Sequence, residues 1–186
     1  MGRAGRLFLT CPSESTKHDG AVIAAVVLAA GASSRYGTKP PKQEVFLPRV
    51  LAAVRASPAI DDVVVVIGAH AVETDARTVR CPEWEGGPGA SLRCGLAALP
   101  PEAEAAVVVL ADGPDLDPRA VDRVAAAWRH DGGDVYACTY AGVRLHPVLL
   151  ARAAWSLVPD GGARVLDARL VECDDLASPG DVDEQP

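Results

Sequence analysis

From Gly31 to Gly37 the chain reads G-A-S-S-R-Y-G, which sets two glycines, two serines and an arginine close together. Glycine lets backbone N–H groups close on an anion, serine hydroxyls donate to it, and the guanidinium of Arg35 adds a rigid fork of charged donors. That is equipment for holding phosphate. Ahead of it, Ala21 to Ala30 is a continuous apolar run rich in Val and Ile. It is too short to span a membrane and is what a strand buried on both faces of a parallel sheet presents. The stretch therefore reads as a phosphate-binding turn at the carboxyl end of a first strand, with Leu28, Ala29 and Ala30 leading into Gly31, Ser33, Ser34, Arg35 and Gly37.

Two commoner phosphate loops do not fit. A G-x-x-x-x-G-K-[ST] loop fails because five residues separate Gly31 from Gly37 and Thr38 stands where the lysine belongs. A dinucleotide G-x-G-x-x-G fails because Ser33 occupies the second glycine position.

The 186 residues are 49% hydrophobic with only two Phe, three Tyr and three Trp, so one core filled by Val, Ala and Leu is expected. Acidic residues outnumber basic ones 25 to 18, a formal charge of −7. That disfavours nucleic acid and anionic membrane as partners and requires a local positive site or a metal wherever a phosphorylated substrate binds. Five scattered cysteines without a C-x-x-C pair suit neither a disulfide framework nor a zinc site; they read as small buried hydrophobes, with a reducing cytoplasm as the default. Residues 1–20 lack the apolar segment of a signal peptide and read as a disordered leader, 21–180 as one domain and 181–186 as an acidic tail.

Along that domain, strand and helix patterns alternate as a parallel sheet with helical crossovers requires. Helices are expected over 47–56, 71–79, 91–99, 118–129 with Asp117 as cap, 148–157 and 160–166 with Asp160 as cap. Buried strands are expected over 63–68, 105–110 and 170–173, and a half-exposed strand over 135–140. Ligands bind beyond the carboxyl ends of such strands. There the polar segments 31–37, 68–70, 112–117 and 174–178 should converge on one crevice.

L-A-A-G-A-S-S-R-Y-G followed by P-K-Q resembles the signature L-A-A-G-x-S-x-R-x-G-x-x-K of the MobA-like nucleotidyltransferases, in their molybdenum cofactor cytidylyltransferase (MocA-like) branch. Four further stretches are similar to that family's motifs and stand in the same order. They are C-P-E-W-E-G-G-P-G-A-S-L-R-C-G-L from Cys81, L-A-D-G-P-D-L from Leu110 (against L-G-D-M-P), H-P-V-L-L from His146 and D-G-G-A-R-V-L from Asp160. The resemblance implies a three-layer α/β/α Rossmann-like domain with a mostly parallel sheet. It also implies transfer of a nucleoside monophosphate from a nucleoside triphosphate, CTP favoured, to a phosphorylated acceptor such as molybdopterin, with release of pyrophosphate. It assigns triphosphate binding to the 31–37 loop and Arg35, α-phosphate stabilisation to Lys42 with Lys39 as competitor, Mg2+ to Asp112, the base to Gly89 and Ser91, and the acceptor to His146 and Arg164. Ser91 has the competing role of capping its helix, and His146 that of a packed histidine.

The chain also departs from the pattern. Ala177 stands where the family's D-x-D-T-P has its second metal carboxylate, leaving Asp175 or Asp174 as a substitute after a shift of register. Leu145 replaces a glycine and should narrow the acceptor cleft, and Cys81 replaces an asparagine. A degenerate relative that binds nucleotide or a partner without turnover is therefore the alternative to an enzyme, and a methylerythritol phosphate cytidylyltransferase is a third reading.

Overall fold

An apolar run such as 21–30 can be buried only if strands flank it on both sides and layers cover both faces. The structure, a computed structural model describing residues 18, 20–32 and 42–180, supplies both. β1 (Ile23–Ala29) pairs in parallel with β2 (Asp62–Ile67) on one side and β4 (Ala105–Leu110) on the other. The described residues form a seven-stranded sheet of order β3-β2-β1-β4-β6-β5-β7, completed by β3 (Arg77–Arg80), β5 (Val135–Tyr140), β6 (Val143–Ala151) and β7 (Arg169–Glu172). β6 runs antiparallel to β4 and β5, and the remaining pairings are parallel.

Successive side chains of a strand point to opposite faces. Ile23, Ala25 and Val27 pack into a layer with α1 (Lys42–Ala56) and α3 (Pro118–Asp131). Ala24 and Val26 pack into a second layer with α2 (Pro88–Ala97) and the 3₁₀ turns at Arg152–Leu157 and Ala163–Val165. The expected three-layer α/β/α domain is the one that forms. The leader over 1–20 and the tail over 181–186 fall outside the described residues apart from His18 and Gly20. His18 is packed on the domain, its ring stacked on Trp128 with centroids 4.3 Å apart.

Four local expectations are corrected. α1 starts at Lys42 rather than 47, because its buried stripe (Gln43, Leu47, Val50, Leu51, Val54) opens on a polar residue that an apolar count passes over. Segment 71–79 is not helical: Arg77–Arg80 pairs with β2 as a short edge strand, where exposed arginines guard an open edge. β5 is buried along its whole length because β6 and β7 flank it and both layers cover it. Of the helix expected over 148–157, Arg152–Leu157 is helical as a 3₁₀ turn, whereas 148–151 is the inner half of β6, with Val148 and Leu150 in one core and Leu149 in the other. A short apolar run has no periodicity that separates a buried strand from a buried helix.

Burying a Val or Leu side chain contributes about 1.5–3 kcal/mol, so a core of such small side chains needs its layers close together. Gly95 of α2 provides that approach: a Cβ there would lie 2.5 Å from Val26 Cγ1 and 2.7 Å from Val66 Cγ2. Helix propensity alone would make Gly95→Ala stabilising by about 1 kcal/mol. Overpacking against two valines held in a sheet should reverse the sign and destabilise by about 1–3 kcal/mol. Urea unfolding of the variant reads the sign directly, and a gain in stability would mean that α2 can lift off the sheet at little cost.

Candidate functional site

The carboxyl ends of β1, β2 and β4 lie side by side, and the segments leaving them are tied together by main-chain and side-chain bonds. After β1, the Ala30 carbonyl accepts from the Ala69 amide at 3.2 Å, and the Ala32 carbonyl accepts from His70 Nε2 at 2.9 Å. Since a carbonyl can only accept, that bond fixes the proton on Nε2 of His70. The buried side chain of Gln43 donates from Nε2 to the Gly31 carbonyl at 2.9 Å, fastening the start of α1 to the segment that leaves β1. Sequence reasoning did not single out Gln43 or His70. The signal for Gln43 was its position four residues ahead of Leu47 on the α1 stripe.

Lys42, the first residue of α1, reaches across to the turn after β4. Its Nζ lies 2.6 Å from Asp112 Oδ2, with the two side chains only 12% and 21% exposed. An exposed ion pair is worth about 0–1 kcal/mol, but a largely buried one strands an uncompensated charge when either partner is removed. The two residues expected to hold the α-phosphate and the metal are thus in contact, and a cation stands in front of the Asp112 carboxylate. A carboxylate is the oxygen donor that Mg2+ or Mn2+ takes. Among the described residues no group of three or more His, Cys, Asp or Glu is arranged to hold a metal, so a cation here would share Asp112 with oxygens of its substrate.

His146, near the start of β6, comes to the same turn. A Cβ on Gly113 would lie 2.6 Å from its Nε2. That nitrogen is enclosed without a hydrogen-bond partner, and burial pushes the imidazole pKa down to about 4, against a smaller upward pull from Asp112. The ring is neutral at physiological pH. Leu145 is partly buried against the α1 and α3 layer.

On the α2 side, the expected helix caps and cysteine pairing change. The helix opens at Pro88 with Gly87 as N-cap, so Ser91 is a buried residue inside α2 and not its cap. Gly89 donates its amide to the Asp160 carbonyl at 3.0 Å, and a Cβ there would lie 1.9 Å from the Pro159 carbonyl oxygen. Its amide is engaged by the protein's own chain, and glycine is required by close packing. Cys81 and Cys94 form a disulfide, correcting the expectation of unpaired cysteines: once α2 starts at Pro88, Cys94 comes within 5.7 Å of Cys81 between Cα atoms. Cys138 and Cys173 are free and buried, as expected. Arg93 holds the 158–160 segment through the Val158 carbonyl and the Asp160 carboxylate, both at 2.9 Å. Asp160 caps no helix, since the 3₁₀ turn at Ala163–Val165 starts from Gly162. Arg164 is exposed on that turn, which Arg144 anchors through the carbonyls of Ala163 and Leu166.

Asp175 goes elsewhere. Its two oxygens accept from Arg123 of α3 at 2.6 and 2.7 Å, and that guanidinium holds the carboxyl down at about 2. Asp174 accepts from the Ala141 amide, and Ala177 is exposed. Both acidic side chains accept hydrogen bonds from the protein itself. Ser33, Ser34, Arg35, Gly37 and Lys39 lie outside the described residues.

The MobA-like NTP transferase domain matches residues 25–171. The chain belongs to this family. The structure is similar to a homologue of Rv0371c from Mycobacterium sp. strain JC1, with 29% identity over 87% of this chain and 90% of that one and a TM-score of 0.71. Rv0371c of Mycobacterium tuberculosis H37Rv gives 27% identity over 88% and 94%, with a TM-score of 0.69. Its manganese complex gives 24% over 82% and 88%, with a TM-score of 0.59. The fold alone is shared with CMP:2-keto-3-deoxy-manno-octonic acid synthetase complexed with CTP, at 13% identity over 88% and 94% and a TM-score of 0.65. No curated protein matches the chain. Among the described residues no helix is long and apolar enough to cross a membrane.

With Asp175 spent on Arg123, Asp175→Asn should leave any metal requirement of the protein unchanged and lower its stability at neutral pH, the difference from wild type closing as pH falls toward 2. The carboxyl pKa is held below its ordinary value in the folded chain, so the unfolded state binds more protons between pH 4 and pH 2. The stabilisation is complete above that window and is lost as pH falls through it. Thermal melts from pH 5 to pH 2 should show a steeper loss in the wild type than in the variant, and a changed metal dependence in the variant would return Asp175 to the metal site.

Proposed function

We propose that this chain is a nucleotidyltransferase of the molybdenum cofactor cytidylyltransferase (MocA-like) branch. It transfers a nucleoside monophosphate, from CTP by resemblance, to a phosphorylated small-molecule acceptor such as molybdopterin. The single observation that carries this reading is the Lys42–Asp112 contact at the carboxyl edge of the sheet, which pairs the ammonium and the carboxylate that such a reaction needs. In the reaction an acceptor phosphate oxygen forms a bond to the α-phosphorus while the bond from that phosphorus to the bridging oxygen of the β-phosphate breaks, and pyrophosphate leaves. Catalysis then consists of aligning two anions and neutralising the charge that builds between them.

The phosphate loop, with Gly31, Ser33, Ser34, Arg35 and Gly37, would hold the triphosphate. Lys42 would turn from Asp112 to the α-phosphate, which is the better place for its charge once a cation neutralises the carboxylate. Asp112 would hold that cation, Mg2+ by resemblance, which when bound polarises the phosphoryl oxygens. The manganese complex of Rv0371c supports divalent cation use. His146 and Arg164 would meet the acceptor. With the Gly89 amide engaged by Asp160, base reading falls to other groups of the 81–91 loop.

The clamping of Asp175 by Arg123 and the methyl group of Ala177 favour a second reading, a relative that binds nucleotide without turnover. Incubation with each of the four triphosphates, Mg2+ and molybdopterin separates them: the enzyme releases pyrophosphate, with CTP preferred, whereas the binding module shows only a rise in melting temperature. Asp112→Asn should abolish release. Lys42→Ala should lower kcat by roughly 10²–10³-fold yet tighten nucleotide-free cation binding, because it frees the carboxylate. Weaker cation binding in Lys42→Ala would overturn the role given to this pair.

A further inference from the structure

Three consecutive carbonyls follow the end of β1, and each is taken by a different donor. The Ala30 carbonyl accepts from the Ala69 amide at 3.2 Å, the Gly31 carbonyl from Gln43 Nε2 at 2.9 Å, and the Ala32 carbonyl from His70 Nε2 at 2.9 Å. The donors come from two elements: Gln43 from the buried stripe of α1, and Ala69 with His70 from the segment that leaves β2. Gly31 and Ala32 are exposed, so water could satisfy their carbonyls as well as any side chain does. Satisfying them is therefore not what the side chains add; they add direction. In a planar trans peptide the N–H points opposite to the C=O. Turning the Gly31 carbonyl to Gln43 thus turns the Ala32 amide away from α1. With its own carbonyl held by His70, Ala32 is fixed on both of its peptides.

Resting on the nucleotidyltransferase reading, we propose that Gln43 and His70 are positioning residues for the triphosphate: they hold the peptides on either side of Ala32 so that its amide is presented, already oriented, to a phosphate oxygen. His70 lies outside all five motif stretches, and its role follows from the bond it makes. Gln43 is only 3% exposed, and a buried amide side chain costs stability unless its polar atoms are bonded. An apolar residue would fill that place in the stripe without the cost, so the bond to Gly31 is what the glutamine adds. Donors fixed before the ligand arrives need no reorganisation when it binds, which is what makes a backbone amide effective against an anion. Both holders act through a carbonyl and neither has to touch the ligand.

The test uses the full chain with two probes, CTP and inorganic tripolyphosphate, each with Mg2+, and follows the Ala32 amide by nuclear magnetic resonance. Wild type should bind both, its Ala32 amide proton moving downfield as it donates to a phosphate oxygen. His70→Leu and Gln43→Leu keep apolar bulk but donate nothing. Each should weaken both probes by about the same factor, roughly tenfold, and lose the downfield shift, with no fall in the melting temperature of the ligand-free chain. His70→Gln restores a donor and should restore affinity and shift; if it binds as weakly as His70→Leu, ring packing and not the donated bond is at work and the proposal fails. Should Gln43→Leu not fold, the two His70 variants carry the comparison. If the probes bind wild type but the Ala32 amide does not respond, or the leucine variants bind as tightly as wild type, this inference falls while the nucleotidyltransferase reading stands. If wild type binds neither probe, both fall.

Discussion

A largely buried contact between one ammonium and one carboxylate sets the geometry at the carboxyl edge of the sheet. Lys42 begins α1 and Asp112 lies in the turn after β4, so their pairing ties the start of α1 to the carboxyl end of β4. Burial makes the contact obligatory, since neither charge can be left alone at low dielectric. Gln43, next to Lys42, adds a neutral bond to Gly31 that fixes where the loop departs. The sheet, with β1 buried at its centre, is the rigid frame that lets these short bonds define a site.

Most of the fold could be read from the sequence because its strands are long apolar runs and its turns carry Pro, Gly and Asp. Asp117 caps α3 as its position suggests, accepting from the Arg119 amide at 2.9 Å. What could not be read were the segments whose conformation depends on a partner strand. Arg77–Arg80 is extended only because β2 offers it an edge, and Val148–Ala151 only because β4 and β5 enclose it. Composition carries no record of such long-range pairing.

The site was legible in the same uneven way. Lys42, Asp112 and His146 come to one edge because they sit at the ends of elements whose order the motifs preserve. Gly89, Ser91 and Asp175 keep their motif positions, but the Gly89 amide is engaged by Asp160, Ser91 is buried inside α2 and Asp175 is held by Arg123. A motif records which residue stands at a position; it does not record which atom of that residue remains available. Only the partners of each donor and acceptor show that.

The Cys81–Cys94 bond links the exit of the β3 edge to α2 across a sequence separation of 13. Closing a loop of that size removes conformational freedom from the unfolded chain worth about 3 kcal/mol in the entropic account of cross-links. This contribution exists only while the sulfurs stay oxidised, so the order of the loop that carries Trp84 and leads into α2 is coupled to the electron supply of the compartment. Two chains of identical sequence, one kept with thiols and one without, would differ in how readily this rim of the cleft opens, although the sheet beneath them is the same.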